Sequence, residues 1–476
     1  MTHIRRAVAL ASRHRVFVFL AALGLLLRVV TMLGYRWAMW FNDSYQYVAS
    51  ALDGEPHIVR PNGYAFWLAL LEPFHSFGLV TALQHLMGLA TAALIYVLLW
   101  RRFGLPKWAA SLAAAPVLFD AYQVQLEHLV LSDVPFLLMM TLLAYLALTW
   151  REITVRRGLV LGLLTASVVV MRSIGLGLMI VVLVYFVVKR VNWRSIAAVA
   201  VSCALPLVGY AAWFNAHYGR FALSNSDGPF LYARVMKFAD CYKIHPPVEE
   251  SALCSGLPVD ERPSSQFYVW GQVSPLDRYS GALFSNEKSA LAGRFARRAI
   301  MAQPGDYLSA IGYDVIRVFK WNREVYPDPP TYNMYRFRTT TEPISDWAVP
   351  VLHRYQAGDA RPRIVEPYAG FMRFYQSYFF LPGTVVGIAL AAALVGIARR
   401  WREWGGEAIL PWGFAAALLT APAATAEFDY RYVIPAVPMA FLAAFISLRD
   451  VRLRRRADRA EDGSEKEPKE TPVLVG

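Results

Sequence analysis

The apolar residues of this chain lie in long runs bounded by charged residues, several of them near the roughly 20 residues that span a bilayer core. The runs predict spans at about 16–34, 79–100, 108–124, 131–150, 158–170, 174–188, 195–212, 378–398, 408–421 and 433–448. The two runs flanking Met171-Arg172-Ser173 and the one before Pro422 are short for a crossing, so broken or re-entrant helices are the alternative there. A chain that is 56% hydrophobic and 17% charged is not an ordinary soluble protein. The fold class predicted is therefore an all-α polytopic membrane protein of about 10 transmembrane helices.

The net charge of +13 raises the question of a nucleic-acid partner, and the positions of the charges answer it. With the N-terminus in the cytoplasm, alternate loops carry Arg5, Arg6, Arg13 and Arg15; Arg101, Arg102 and Lys107; Arg151, Arg156 and Arg157; Lys189, Arg190 and Arg194; and Arg399, Arg400 and Arg402. A basic run from Arg449 to Arg459 follows the last span, whereas the opposite short loops hold only Arg36, Arg60, Arg172 and Arg431. This asymmetry is the positive-inside pattern, so the charge is mostly a topology signal and no nucleic acid is implied. The first run follows a basic stretch as a signal peptide does, but it is longer than an h-region and is read as a retained helix.

The polar segment between Asn215 and Tyr375 is too long for a connection and must fold as an external cap, mixed but mostly helical. Within it 290–301 and 304–321 read as helices, and 328–355 as irregular. Cys241 and Cys254 fall there, where a disulfide is permitted; a bridge or two free thiols are the alternatives. The organisation expected is a transmembrane module over 1–214, with a first external loop at about 36–64, a cap over 215–375, C-terminal helices over 376–448, and a charged, disordered cytoplasmic tail over 449–476.

Ionisable groups that neither topology nor solubility requires gather on the external side. They are Asp43 in Asn42-Asp43-Ser44-Tyr45; Glu127, His128 and Asp133 between the third and fourth spans; Arg172; and Glu427, Asp429 and Arg431 before the last span. A charge near hydrocarbon costs several kcal/mol, so such a grouping points to one site at the outer membrane interface. A carboxylate there can act as general base toward a hydroxyl, and arginines at headgroup level suit a phosphate. The aromatic stretch Trp37, Trp40, Phe41, Tyr45 and Tyr47 reads as an interfacial belt.

The order of these features resembles the C-type (GT-C) membrane glycosyltransferases related to lipid A aminoarabinose transferases and protein O-mannosyltransferases. The matching stretches are Asn42-Asp43-Ser44-Tyr45, Arg60-Pro61-Asn62-Gly63-Tyr64, Ser132-Asp133-Val134-Pro135-Phe136, Met171-Arg172-Ser173-Ile174-Gly175 and Arg431-Tyr432-Val433-Ile434-Pro435. Each is short, and their joint order and common sidedness carry the resemblance across most of 16–448. It implies an inverting single displacement from a polyprenyl-phosphate sugar at the outer face of the cytoplasmic membrane, with Asp43 as base. Asp133 becomes the second acid, orienting the acceptor, a catalytic water or a metal. Arg60, Arg172 and Arg431 become the phosphate ligands, with Lys320 reaching in from the cap. No cofactor is fixed; a divalent cation is the one considered, and the absence of a second acid beside Asp43 and of a His within Arg60-Pro61-Asn62 counts against a metal there. The acceptor is left open among a lipid, a polysaccharide and a protein.

Each residue also has a plainer reading. Asp43 and Asp133 can be helix caps. Glu127 and His128 can be a metal pair or, since neighbours on a helix do not share a face, solvated loop residues, which is the reading preferred. Arg431 can pair with Asp429 or Glu427, and Arg28, inside the first span, can snorkel or pair with an acid. Two other functions compete: a transporter or flippase, disfavoured by the one-sided acids and the absence of a repeat, and another transferase acting on lipid-linked substrates.

Overall fold

The computed structural model describes residues 12–271, 274–341 and 343–464, so that Arg5, Arg6 and the tail beyond 464 lie outside the described residues. It is helical almost throughout; among the described residues the one sheet pairs β1 (Tyr35–Arg36) antiparallel with β2 (Arg363–Ile364). The N-terminal half contains α1 (Arg15–Gly34), α2 (Asn42–Asp53), α3 (Gly63–Leu71), α4 (Phe77–Val97, continued by a π turn to Arg102), α5 (Lys107–Phe119), α6 (Ala121–His128), α7 (Asp133–Thr149), α8 (Val155–Met171), α9 (Gly175–Val188) and α10 (Trp193–Tyr218). The cap follows with α11 (Asp227–Val235), α12 (Asn286–Ala302), α13 (Pro304–Val318) and α14 (Ala348–Gln356). The chain returns through α15 (Tyr368–Tyr378), α16 (Gly383–Arg399), α17 (Ile409–Thr425) and α18 (Tyr430–Ser464).

Every predicted span has a helix at its position, but among the described residues four helices are long and apolar enough to cross alone: α1, Phe77–Arg102, α10 and Tyr430–Arg449. The pair α15 and α16, bent by 52°, makes a fifth if the two together form one broken span. The apolar helices α5, α7, α9 and α17 are shorter, and at about 1.5 Å per residue each reaches less than the roughly 30 Å of a hydrocarbon core. The predicted run 108–124 is two helices, because Asp120 caps α6 by accepting from Tyr122 N at 2.9 Å. Helix α18 runs on to Ser464, into the segment expected to be a disordered tail; Arg, Ala, Glu and Asp between 452 and 461 are mostly good helix formers.

In the apolar window of α18, 78% of residues are buried, against 17% for α1, which places α18 at the centre and α1 at the rim. Helices α8 and α10 approach closely: a Cβ on Gly162 would lie 2.3 Å from Val199 O, so glycine is needed for that contact. The cap divides. Residues of 232–299 form their own core, joined by Val59, while Tyr326, Tyr335, Phe337 and Tyr355 belong to the core of the helical bundle. Cys241 and Cys254 are joined by a disulfide in the first of these parts. The segment 328–355, expected to be irregular, contains a turn at Pro329–Asn333 and the amphipathic helix α14, whose Ala348, Leu352 and Tyr355 are buried.

Candidate active site

The site forms where helix ends from distant parts of the chain meet beneath the cap. Asp43 lies in the first turn of α2, yet it does not cap that helix: Ser44 does, its Oγ accepting from Phe41 N at 2.9 Å. The Asp43 carboxylate therefore remains available for other partners. Asp133 likewise opens α7 without a side-chain capping bond, and is completely buried. Arg172 sits at the break between α8 and α9, and Arg431 in the first turn of α18.

These residues form one chain of alternating charge. Arg60 Nη1 lies 2.8 Å from Asp43 Oδ1, and Arg431 Nη1 donates to Asp43 Oδ2 at 2.7 Å. Arg431 Nη2 donates to Asp133 Oδ2 at 3.0 Å, and Arg172 pairs with Asp133 Oδ1. Arg431 also lies 4.8 Å above the Phe41 ring, and Arg172 5.0 Å from that of Tyr432, contacts that fix both guanidinium planes. Burial alone would raise the Asp43 carboxyl, but Arg60 and Arg431 outweigh it and hold the group well below the usual carboxylate range. Along this chain of pairs three guanidiniums meet two carboxylates, and Asp429 beside Arg431 adds a third acid. Arg60 Nη1, whose ion pair lacks hydrogen-bond alignment, and Arg431 Nε are buried without a hydrogen-bond acceptor.

Arg60 is placed by a loop tied down at several points. Asn62 Nδ2 donates to Glu55 O at 2.6 Å, Tyr218 Oη to Pro56 O at 2.6 Å, and Ser226 Oγ to Val59 O at 2.8 Å. At its end a Cβ on Gly63 would lie 2.6 Å from Val170 O, so only glycine lets this loop reach the α8 terminus beside Arg172.

The cluster opens into a cavity of about 840 Å³ between bundle and cap. Asp43, Arg60, Arg431 and Tyr432 form one side; Phe230, Gln266, Phe267 and Trp270 of the cap form another. Glu427 clamps the cap to the bundle, accepting from Ser265 N at 2.8 Å, Gln266 N at 3.1 Å and Tyr326 Oη at 2.5 Å. Asp429 accepts from Arg431 N at 2.9 Å and from Tyr335 Oη, and thereby orients the Arg431 turn.

Three expected members are elsewhere. Glu127 and His128 are neither solvated loop residues nor cavity groups: both are fully buried on α6. The reason is Arg28, whose Nε and Nη2 each donate to Glu127 at 2.7 Å and whose remaining donors meet Gly24, Leu118 and Val117 carbonyls. His85 lies between the two, 3.0 Å from Glu127 and 3.1 Å from His128. Arg28 thus pairs with an acid rather than snorkelling. Lys320 pairs with Glu324 on the cap and does not line the Asp43 cavity. No group of three or more His, Cys, Asp or Glu suited to a metal ion occurs among the described residues. At Asp43 itself both carboxylate oxygens are held by guanidiniums, a donor set that does not fit a divalent cation.

The sequence reading missed Tyr335, Gln266 and Trp270. They lie in cap segments without a periodic pattern, and only tertiary folding brings them to the cavity.

The fold and site define a helical membrane protein with an acid and arginine cluster under a cap. No protein-family model matches the chain, and no curated protein matches it. Among solved structures it is similar to ArnT from Cupriavidus metallidurans bound to undecaprenyl phosphate, at 14% identity and a TM-score of 0.35, over 96% of this chain and 81% of that one. It is also similar to the Archaeoglobus fulgidus oligosaccharyltransferase, at 12% identity and a TM-score of 0.42, over 96% of this chain and 52% of that one. The chain thus spans about half the length of the archaeal protein. Likenesses this distant carry no argument about chemistry, which rests on the site itself.

Proposed function

We propose that the protein is a membrane glycosyltransferase that moves a sugar from a polyprenyl-phosphate donor to an acceptor hydroxyl at the outer face of the cytoplasmic membrane. The observation that supports this most is the cluster itself. A carboxylate held between guanidiniums, with unused N–H donors beside it, faces a cavity at the ends of membrane helices. The order of the five short stretches that resemble the GT-C enzymes points the same way.

In the reaction, the acceptor oxygen attacks the anomeric carbon as the bond from that carbon to the phosphate oxygen breaks. The lipid phosphate leaves with the electron pair, and the acceptor proton passes to Asp43. Arg60 and Arg431 neutralise the phosphate by charge and paired donors, with Arg172 behind them holding Asp133. The free-state ion pairs make Asp43 a weak base. A donor phosphate competes for the same guanidiniums, so its arrival loosens their hold on Asp43 and raises its basicity where the acceptor binds. Asp133 is completely buried between Arg172 and Arg431, which suits an anchor better than a group touching the acceptor.

The test is transfer by purified protein from a polyprenyl-phosphate sugar carrying ¹⁸O at the bridging position. Label retained in the lipid phosphate, with inversion at the anomeric carbon, supports this reading. Label leaving with the sugar means a phosphoryl transfer, and movement of donor across liposomes without bond cleavage means a transporter; either result overturns it.

A further inference from the structure

The Asp43 cavity has two unlike walls. Its bundle wall is charged, with Asp43, Arg60 and Arg431 held in the ion-paired chain. Its cap wall carries the aromatic rings of Phe267 and Trp270 and the carboxamide of Gln266. Asp328, on the same wall, accepts from Thr331 N at 2.8 Å and from Gln266 Nε2, so its carboxylate holds the wall together. A phosphate is drawn to the guanidiniums of the first wall and repelled by the carboxylate of the second. The cap wall therefore suits an uncharged ligand.

This wall is fixed from behind. Glu427 pins it through Ser265 N and Gln266 N, and Gly271 closes the turn at 267–270, where a Cβ would lie 2.5 Å from Phe267 O. Trp270 packs on Phe230 and on Phe284 of the cap core, with ring centres 6.1 and 5.4 Å away, yet it remains 48% exposed. A held indole of this kind offers a flat apolar face that loses little freedom when a ligand covers it. On the bundle side, Gln46 stands one turn after Asp43 on α2 and lines the same cavity. Its Oε1 is buried without a hydrogen-bond donor. Such an orphaned acceptor is costly unless a ligand donor fills it.

A sugar ring matches both requirements. The C–H groups on its face carry slight positive charge and meet the π face of an indole, while hydroxyls around its edge donate to carbonyl oxygens. A hydrocarbon chain would cover Trp270 but leave Gln46 and Gln266 unpaired. The cavity, at about 840 Å³, is larger than a phosphate and one sugar ring fill, so a second ring has room. We infer that the cap wall is an acceptor subsite for a saccharide, with a ring on Trp270 and its hydroxyls on Gln46 and Gln266. The hydroxyl to be glycosylated then turns toward Asp43. The acceptor role rests on the proposed function; the binding of a saccharide here does not.

The test is saturation-transfer NMR on the purified full-length protein, in a detergent without a sugar headgroup. Lipid-free oligosaccharides of glucose, of mannose and of galactose serve as separate probes. At least one is expected to bind wild type, and Trp270→Leu and Gln46→Met are each expected to weaken it at least about tenfold with an unchanged melting temperature. Should Trp270→Leu fail to fold, Gln46→Met carries the test alone. Binding by none of the three, or binding that the folded variants leave unchanged, overturns the subsite. In transfer from a polyprenyl-phosphate sugar, Trp270→Leu is expected to raise the KM of the acceptor and not that of the donor. A rise in the donor KM alone assigns the wall to the donor's own sugar and overturns the acceptor role. A saccharide that binds at Trp270 in a protein that transfers nothing keeps the binding site and overturns the proposed function, so the two ideas fail separately.

Discussion

Arg431 joins Asp43 and Asp133 through its two terminal nitrogens, at 2.7 and 3.0 Å, and so ties the loop after the first helix to the start of the last. The two carboxylates are not equivalent. Asp43 is 24% exposed and lines the cavity, while Asp133 has no exposed side-chain surface.

That difference separates their variants. Asp43→Asn keeps the shape of the side chain and removes the base, so transfer is expected to fall by about 10²- to 10⁴-fold; it also takes counter-charge from Arg60 and Arg431, so stability falls too, but less than at the completely buried Asp133. Asp133→Asn leaves Arg172 and Arg431 buried with less counter-charge, and is expected to cost about 3–5 kcal/mol of stability. Transfer rates and thermal melts on both variants check this; an Asp43→Asn protein with near-normal turnover removes Asp43 as the base.

The pH response of the Arg60 loop should reflect His57. Burial pushes its pKa down to about 4, with Arg60 adding to the effect and Asp43 opposing it. The folded value lies below the unfolded value of about 6.5, so the folded loop favours neutral imidazole. Its contribution is complete above about pH 6.5 and is lost as pH falls from there toward 4. Corrected for the intrinsic slowing of exchange in acid, the protection factors of residues 54–62 are expected to fall across that window in wild type, and less so in His57→Gln.

Glu427 gives the opposite sign. Burial pushes its carboxyl up, against hydrogen bonds from Tyr326, Ser265 and Gln266. Its ionised form is thus disfavoured in the fold, a cost present at neutral pH and relieved as pH falls through the raised folded value. Glu427→Gln removes the charge and keeps an acceptor, so the cap should stay docked at pH 7.5. Glu427→Ala leaves the Ser265 and Gln266 N–H groups without their acceptor, which costs about 1–3 kcal/mol. Limited proteolysis of the 262–271 segment is the measure: rapid cutting is expected in the Ala variant only.

The membrane character and the cluster were legible because their signals are local. Arg172 and Arg431 stand out as charges beside apolar runs, and Asp43 and Asp133 stand out at helix starts; that they share a single ion-paired chain required the fold. An apolar run such as 174–188 reads as a crossing in the sequence although its helix is shorter than a straight crossing needs, so the count of about ten is not confirmed by helix length. Glu127 was misread because adjacency to His128 is visible in sequence, whereas Arg28, 99 residues away, is not.

The Arg28 and Glu127 pair makes the last prediction. Both side chains are almost completely buried, at 1% and 0% exposure, and neither lines the Asp43 cavity. Removing one partner strands the other charge in an apolar interior, so Glu127→Met or Arg28→Met alone is expected to cost about 3–5 kcal/mol. Replacing both at once removes the stranded charge, and the double variant should lie nearer to wild type in melting temperature than either single one. The folded fraction of the double variant should keep its transfer rate, because the pair holds α1 against α5 and α6 and touches no cavity group. A double variant as stable as wild type but inactive would place Glu127 in the reaction after all, and return the acid between the third and fourth spans to the active site.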